Sequence, residues 1–324
     1  MSAPPDWFVR ALAAPCDSRF VEVEGARIHY LRWGDPAAPG LLLVPGGGGH
    51  AHWFSHVAPL FADQFNVVAI DLAGSGDSDR RPAYSMAAIA AEIMAVARDA
   101  GMADAPVPPI LVGHSIGGQF AVRTAMAHGA DLLGVIAVDS LRYARLASDS
   151  AVAALDSGRI GSAPAAPPRP AKLYPDRDSA VARFRLLPEP LAPIGHPYIV
   201  DHIARHSVRP VAGGWERKAD PAQMSVMTLG LELKDALAGL PCHAAALYGE
   251  HTHLADENLL PAMAAATGGT VPVFRIPGAS HYPMIDNPAA FVAAIKGVAL
   301  GWVAAARRAG SGRAAADDTV RREP

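Results

Sequence analysis

Gly113-His114-Ser115-Ile116-Gly117 sets a serine between two glycines, directly after the apolar run Ile110 to Val112 and before a stretch of helical composition, Gly118 to His128. A G-x-S-x-G pattern in a strand, sharp turn, helix setting pushes the serine hydroxyl out at the carboxyl edge of a sheet. The glycines have a steric reason: the turn strains the backbone at Ser115, and a Cβ on either side would collide with neighbouring chain. The helix start that follows favours developing negative charge. A serine that merely caps a helix gives the same local pattern, so the remaining residues must decide.

A serine hydroxyl is a weak nucleophile at neutral pH and needs a base. Among thirteen histidines, His281 stands in Ser280-His281-Tyr282-Pro283, after the last strand signal and a Pro277-Gly278 turn. Such a loop returns to the edge where Ser115 emerges. His114 points elsewhere around the turn and is read as structural. Pro45-Gly46-Gly47-Gly48-Gly49 offers backbone N–H groups for an oxyanion, with Gly47 and Ile116 as the expected donors. A phosphate cradle is disfavoured: no Lys follows as in G-x-x-x-x-G-K-[ST], and no G-x-G-x-x-G with a downstream acid is matched. The pairs His50/His52 and His251/His253 have two-residue spacing without accompanying carboxylates, so no metal and no cofactor are expected.

These residues need a sheet whose edge gathers them. Short apolar runs at Leu41 to Val44, Val67 to Ile70, Ile110 to Val112, Gly134 to Val138 and Ala244 to Tyr248 read as strands, with Val271 to Ile276 as a sixth. Ala-rich stretches between them, chiefly Met86 to Ala100 and Gln119 to His128, read as helices. The alternation predicts an α/β fold, a mostly parallel twisted sheet with helices on both faces. Phe20 to Leu31 reads as an antiparallel edge hairpin turning at Gly25. Residues 1–18 are taken as an N-terminal extension, 19–140 and 221–306 as the core, 141–220 as a helical cap insertion without strands, and 307–324 as a flexible tail.

Composition narrows the class. The 324 residues are 51% hydrophobic and 18% charged, with a net charge of −3. That balance suits a globular protein and offers no electrostatic footprint for nucleic acid. Cys16 and Cys242 are too few for a disulfide framework, and the N-terminus lacks the blocks of a signal peptide, so a cytoplasmic location is expected. Ala289 to Ala306 is interrupted by Lys296, which fits a packed helix better than a membrane span. Oligomeric state has no signature.

Val44-Pro-Gly-Gly-Gly-Gly-His-Ala-His-Trp53, Asp71-Leu-Ala-Gly-Ser-Gly-Asp-Ser78, the serine elbow and Gly278-Ala-Ser-His-Tyr-Pro283 together resemble the α/β-hydrolase superfamily, in its expected order, across residues 20–300. Pro45 replaces a residue that is commonly His in relatives. The Asp71 to Ser78 stretch is read as shaping its turn. The resemblance implies a third triad member. The usual acid position, in a Gly-x-x-Asp pattern, falls on Thr252 of Gly249-Glu-His-Thr252. A minority of the superfamily carries the acid one strand earlier, which matches Asp139; Glu250 is the alternative, followed by Asp256 or no acid.

The implied activity is a serine hydrolase cleaving a carboxylic ester or lactone through an acyl-enzyme, with Ser115, His281 and Asp139 as the triad and a small molecule as substrate. Trp53, Tyr143, Phe184, Tyr198 and Tyr282 are the expected pocket residues. Carbon–carbon bond hydrolysis, perhydrolysis or hydroxynitrile-lyase chemistry would use the same apparatus, and a ligand-binding or signalling protein with slow hydrolysis is the alternative of another class.

Overall fold

Strands that are apolar on both sides need cover on both faces. The computed structural model describes residues 3–140, 172–186, 196–223, 237–254 and 258–320. Within it, β1 (Asp17–Val23), β2 (Ala26–Trp33), β3 (Gly40–Val44), β4 (Asn66–Ile70), β5 (Ile110–His114), β6 (Gly134–Val138), β9 (His243–Gly249) and β10 (Val273–Ile276) form one eight-stranded sheet. Its order is β1-β2-β4-β3-β5-β6-β9-β10. The strands from β4 to β10 in that order run parallel, whereas β2 is antiparallel to both β1 and β4. The expected edge hairpin is therefore present, turning at Glu24 and Gly25 with φ of 48° and 76°.

Alternate residues of each strand feed two separate cores, as the period of two requires. Leu41, Leu43, Val67, Ala69, Val112 and Ile136 face one side. Leu42, Val44, Val68, Ile70, Leu111 and Val135 face the other, under α2 (Met86–Asp99) and α3 (Ile116–His128). Ser85 caps α2, its hydroxyl accepting the Ala88 N–H at 3.1 Å. The first side is closed by Phe54, Phe61 and Phe65 and by one stripe of α8 (Pro288–Val320), namely Phe291, Ile295, Ala299 and Val303. By length and composition Pro288–Ala309 is apolar enough to cross a membrane, yet this stripe packs on the sheet.

Three expectations about the periphery differ from the structure. Residues 1–18 hold α1 (Asp6–Leu12) and the start of β1, and Phe8 is buried. The 141–220 region, expected to lack strands, contains a small hairpin of β7 (Val208–Val211) and β8 (Gly214–Arg217) beside α4 (Arg177–Ala182) and α5 (Pro197–His206). Four-residue strands with Pro210 in one of them leave no alternation to detect; the turn rests on Gly213 and Gly214, whose φ are 88° and 148°. Beyond Ala306 the helix continues to Val320, where a tail was expected.

Candidate active site

Ser115 leaves β5 with φ 52° and ψ −127°, a strained conformation that aims it away from both the strand and α3. Its N–H donates to the Val138 carbonyl at 2.9 Å, which locks the turn onto β6. A Cβ on Gly113 would overlap the Gly117 carbonyl oxygen, and one on Gly117 would overlap that of Pro45. Both glycines are thus required by backbone on the opposite side of the turn.

His281 lies in the loop between β10 and α7 (Pro283–Asp286), and its Nε2 is 3.0 Å from Ser115 Oγ. His114 supports that loop from beneath: its Nε2–H donates to the His281 carbonyl at 2.7 Å, with ring centroids 5.0 Å apart. Burial, and then the neighbouring His281, push the His114 imidazole well below the ordinary histidine range, so it is a neutral strut.

Asp139 ends β6 at φ 43°, fully buried. Its Oδ1 is 3.6 Å from His281 Nδ1. The same carboxylate accepts the Thr252 hydroxyl at 2.6 Å and the Gly249 N–H at 3.2 Å. Thr252 was not expected to matter, since it cannot carry charge; its place in the Gly-x-x-Asp slot was the available signal. Glu250, the alternative acid, is half-exposed and turned away, accepting the Gly278 N–H at 2.8 Å and lying 3.9 Å from His251. Asp256 lies outside the described residues.

Gly47 and Ile116 both line a small cleft, together with Pro45, Gly46, Phe120 and Gln223. Among the described residues neither of their N–H groups has a protein acceptor. Of the expected pocket aromatics, Trp53, Phe184, Tyr198 and Tyr282 are not among the residues that line this cleft. Trp53 and Tyr282 are buried and pack on His114, with centroids 6.3 and 5.2 Å away. Phe184 belongs to the core on that face, Tyr198 packs edge-on to Phe8 at 4.9 Å, and Tyr143 lies outside the described residues.

The Asp71 turn steadies this edge. Asp71 accepts His29 Nδ1–H at 2.7 Å, the Ala51 N–H at 2.6 Å and the Asp77 N–H at 2.8 Å. Burial pushes its carboxyl upward, but these donors prevail and hold it below the usual carboxylate range. The segment leaving the glycine run is thereby pinned to the end of β4.

A second set of polar side chains gathers beyond the glycine run. One ring nitrogen each of His52, His202 and His206 lies within 4.8 Å of the others. Burial, and after it the crowding of neighbouring histidines, pushes His52 far below the ordinary histidine range and His202 to about 3. His50 packs alongside, pushed down to about 4 mainly by burial. The expectation of no metal took His52 with His50; His202 and His206, one helical turn apart on α5, were missed.

Comparison with known proteins agrees with this fold. The chain is 32% identical over 149 residues to the dihydrolipoyllysine-residue acetyltransferase component of the acetoin cleaving system of Cupriavidus necator, covering 43% of this chain and 38% of that protein. It is 35% identical over 121 residues to the N-formylmaleamate deformylase of Pseudomonas putida, covering 37% and 43%. The chain thus spans about two-fifths of the length of these relatives. Among solved structures, E-2-(acetamidomethylene)succinate hydrolase superposes with a TM-score of 0.69 at 23% identity, over 87% of this chain and 98% of that one. The thioesterase domain from the curacin biosynthetic pathway superposes at 0.67 and 23% identity, over 87% and 99%. A family model described as alpha/beta hydrolase matches residues 41–294, which include the glycine run, the elbow, Asp139 and His281. With its sheet order, its strained serine turn and this match in accord, the chain belongs to the alpha/beta hydrolase family.

Proposed function

We propose that this chain is a serine hydrolase that cleaves a carboxylic ester or lactone through an acyl-enzyme. The observation that carries the reading is His281 Nε2 at 3.0 Å from Ser115 Oγ, with the Asp139 carboxylate behind the same ring. His281 takes the serine proton as Ser115 attacks the acyl carbon, and Asp139 steadies the imidazolium that forms. The tetrahedral oxyanion meets the Gly47 and Ile116 N–H groups, which have no protein acceptor to give up among the described residues. The described part of the 141–220 insertion, with α4, α5 and the β7–β8 hairpin, is read as the cap of this edge. A second reading, hydrolysis of an N-acyl bond by the same groups, is favoured by the names of the deformylase and the acetamidomethylene-succinate hydrolase.

A fluorophosphonate probe mapped by mass spectrometry should label Ser115, and label neither Ser115→Ala nor a His281→Ala variant at a comparable rate. Turnover of p-nitrophenyl esters beside N-formyl and N-acetyl amides then separates the two readings. Tight ligand retention with turnover near background, unchanged in Ser115→Ala, would reverse the assignment in favour of a binding protein.

A further inference from the structure

His52 stands on the short turn after the glycine run, whereas His202 and His206 share one face of α5, four residues apart. The rings of His52 and His206 stack with centroids 3.8 Å apart, and those of His202 and His206 are 4.4 Å apart. Three imidazoles converging between two separate elements need a reason, because nothing in stacked neutral rings satisfies their nitrogens.

The hydrogen bonds around the cluster define which nitrogens are left. His206 Nδ1–H donates to the His202 carbonyl at 2.9 Å, which leaves Nε2 as a lone pair. The Ser55 hydroxyl donates to the His52 carbonyl at 3.1 Å and accepts from His202 Nε2–H at 2.8 Å, which leaves His202 Nδ1 as a lone pair. His52 Nδ1 is buried with no partner. Oxygen acceptors therefore orient both helix histidines, as the outer partners of metal-bound imidazoles do. Of the nearby cations, Lys218 is taken up by Asp77 at 2.6 Å and Arg177 donates to the Arg205 carbonyl at 3.0 Å.

We propose that His52, His202 and His206 bind a late first-row divalent transition metal ion of the zinc class. Three neutral imidazoles without a carboxylate or thiolate suit zinc, nickel, cobalt or copper and reject magnesium and calcium. Metal–nitrogen bonds of about 2.1 Å in a tetrahedral site set ligand nitrogens about 3.4 Å apart, so the three nitrogens that now lie within 4.8 Å must draw together and the stacked His52 and His206 rings must turn apart to aim at the ion. The fourth position remains for water or another small ligand. The ion ties α5 to the segment that carries the glycine run, and the site is independent of the Ser115 chemistry.

The test is zinc chloride titrated calorimetrically into chelator-treated full-length protein without an affinity tag, with cobalt chloride absorption as a geometric readout. One equivalent should bind, with visible cobalt d–d bands of a low-coordinate site, and the melting temperature should rise with zinc concentration. His52→Ala and His206→Gln should each weaken binding by more than the roughly 10- to 100-fold that losing an orienting partner costs. His206→Gln keeps an N–H for the His202 carbonyl, and circular dichroism confirms that each variant is folded. His251→Ala should bind as the wild type does. Absence of binding, or the same stoichiometry and affinity in folded His52→Ala/His206→Gln, would overturn the site whatever the esterase assays show.

Discussion

Asp139 holds two hydrogen bonds that come from outside its histidine, the hydroxyl of Thr252 and the N–H of Gly249. They fix the carboxylate before His281 moves. Thr252→Val should therefore lower kcat/KM about 10-fold, the worth of one hydrogen bond to a charged group. Asp139→Asn should lower it by about 10³- to 10⁴-fold. Glu250→Gln should leave it within about 2-fold, because Glu250 only holds the Gly278 turn. Equal losses from Asp139→Asn and Glu250→Gln in steady-state assays would refute the assignment. His56 is one of several buried histidines, with His50, His114 and His202, that together set an acid limit on stability. Burial holds its imidazole at about 4 in the folded chain, against an ordinary 6.5, while Nε2–H donates to the Met284 carbonyl. Between these pH values the unfolded chain binds more protons, so the stabilisation is complete above pH 6.5 and is lost as the pH falls toward 4. Its size is about 3 kcal/mol. His56→Gln should partly flatten that limb of the stability curve in urea titrations at stepped pH; an unchanged slope would exclude His56 as one of its sources.

Arg81 is the bolt that joins the edge hairpin to α2. It pairs with Glu92 at 2.8 Å and donates to the Val23 and Glu24 carbonyls at 2.7 and 3.1 Å, while Glu92 accepts the Ala73 N–H at 3.0 Å. Burial pushes the Glu92 carboxyl up from its ordinary value, against the pull of these donors. Arg81→Met should destabilise the fold by about 3–5 kcal/mol, because it strands a buried carboxylate, and adding Glu92→Leu should restore part of the loss. Gly117→Ala should cost about 1–3 kcal/mol, since a methyl group there must displace the Pro45 carbonyl. Denaturant midpoints measure both. These elements differ in how legible they were. The parallel strands announce themselves, since fully apolar runs bounded by turn residues have few other uses. The β7–β8 hairpin hides, because its register depends on a glycine pair and on Tyr174 bridging to Trp215 rather than on any alternation.

At the scale of the molecule, the two-faced sheet divides its apolar residues between α2 and α3 on one side and α8 on the other. Phe291→Ala, at a fully buried position of α8, should destabilise by about 3–5 kcal/mol in thermal or chemical unfolding. Ser115, His281 and Asp139 were legible because motif and strand order bring them to one edge. The aromatic lining was not, since Trp53 and Tyr282 look alike in sequence whether they face a cleft or the core. The histidine cluster was hidden by separation, as His52 and His202 are 150 residues apart and meet only when α5 docks. One arrangement has a bearing on heat. Ser115 and Asp139 close two adjacent strands joined by the Ser115 to Val138 bond, whereas His281 rides on a loop held by the His114 contact and by the bonds of Ser280 to Asp286. Warming should unship that ring first. Turnover should then fade several degrees below the collapse of the ellipticity signal and return in full on cooling, a soft thermal fuse that spares the scaffold.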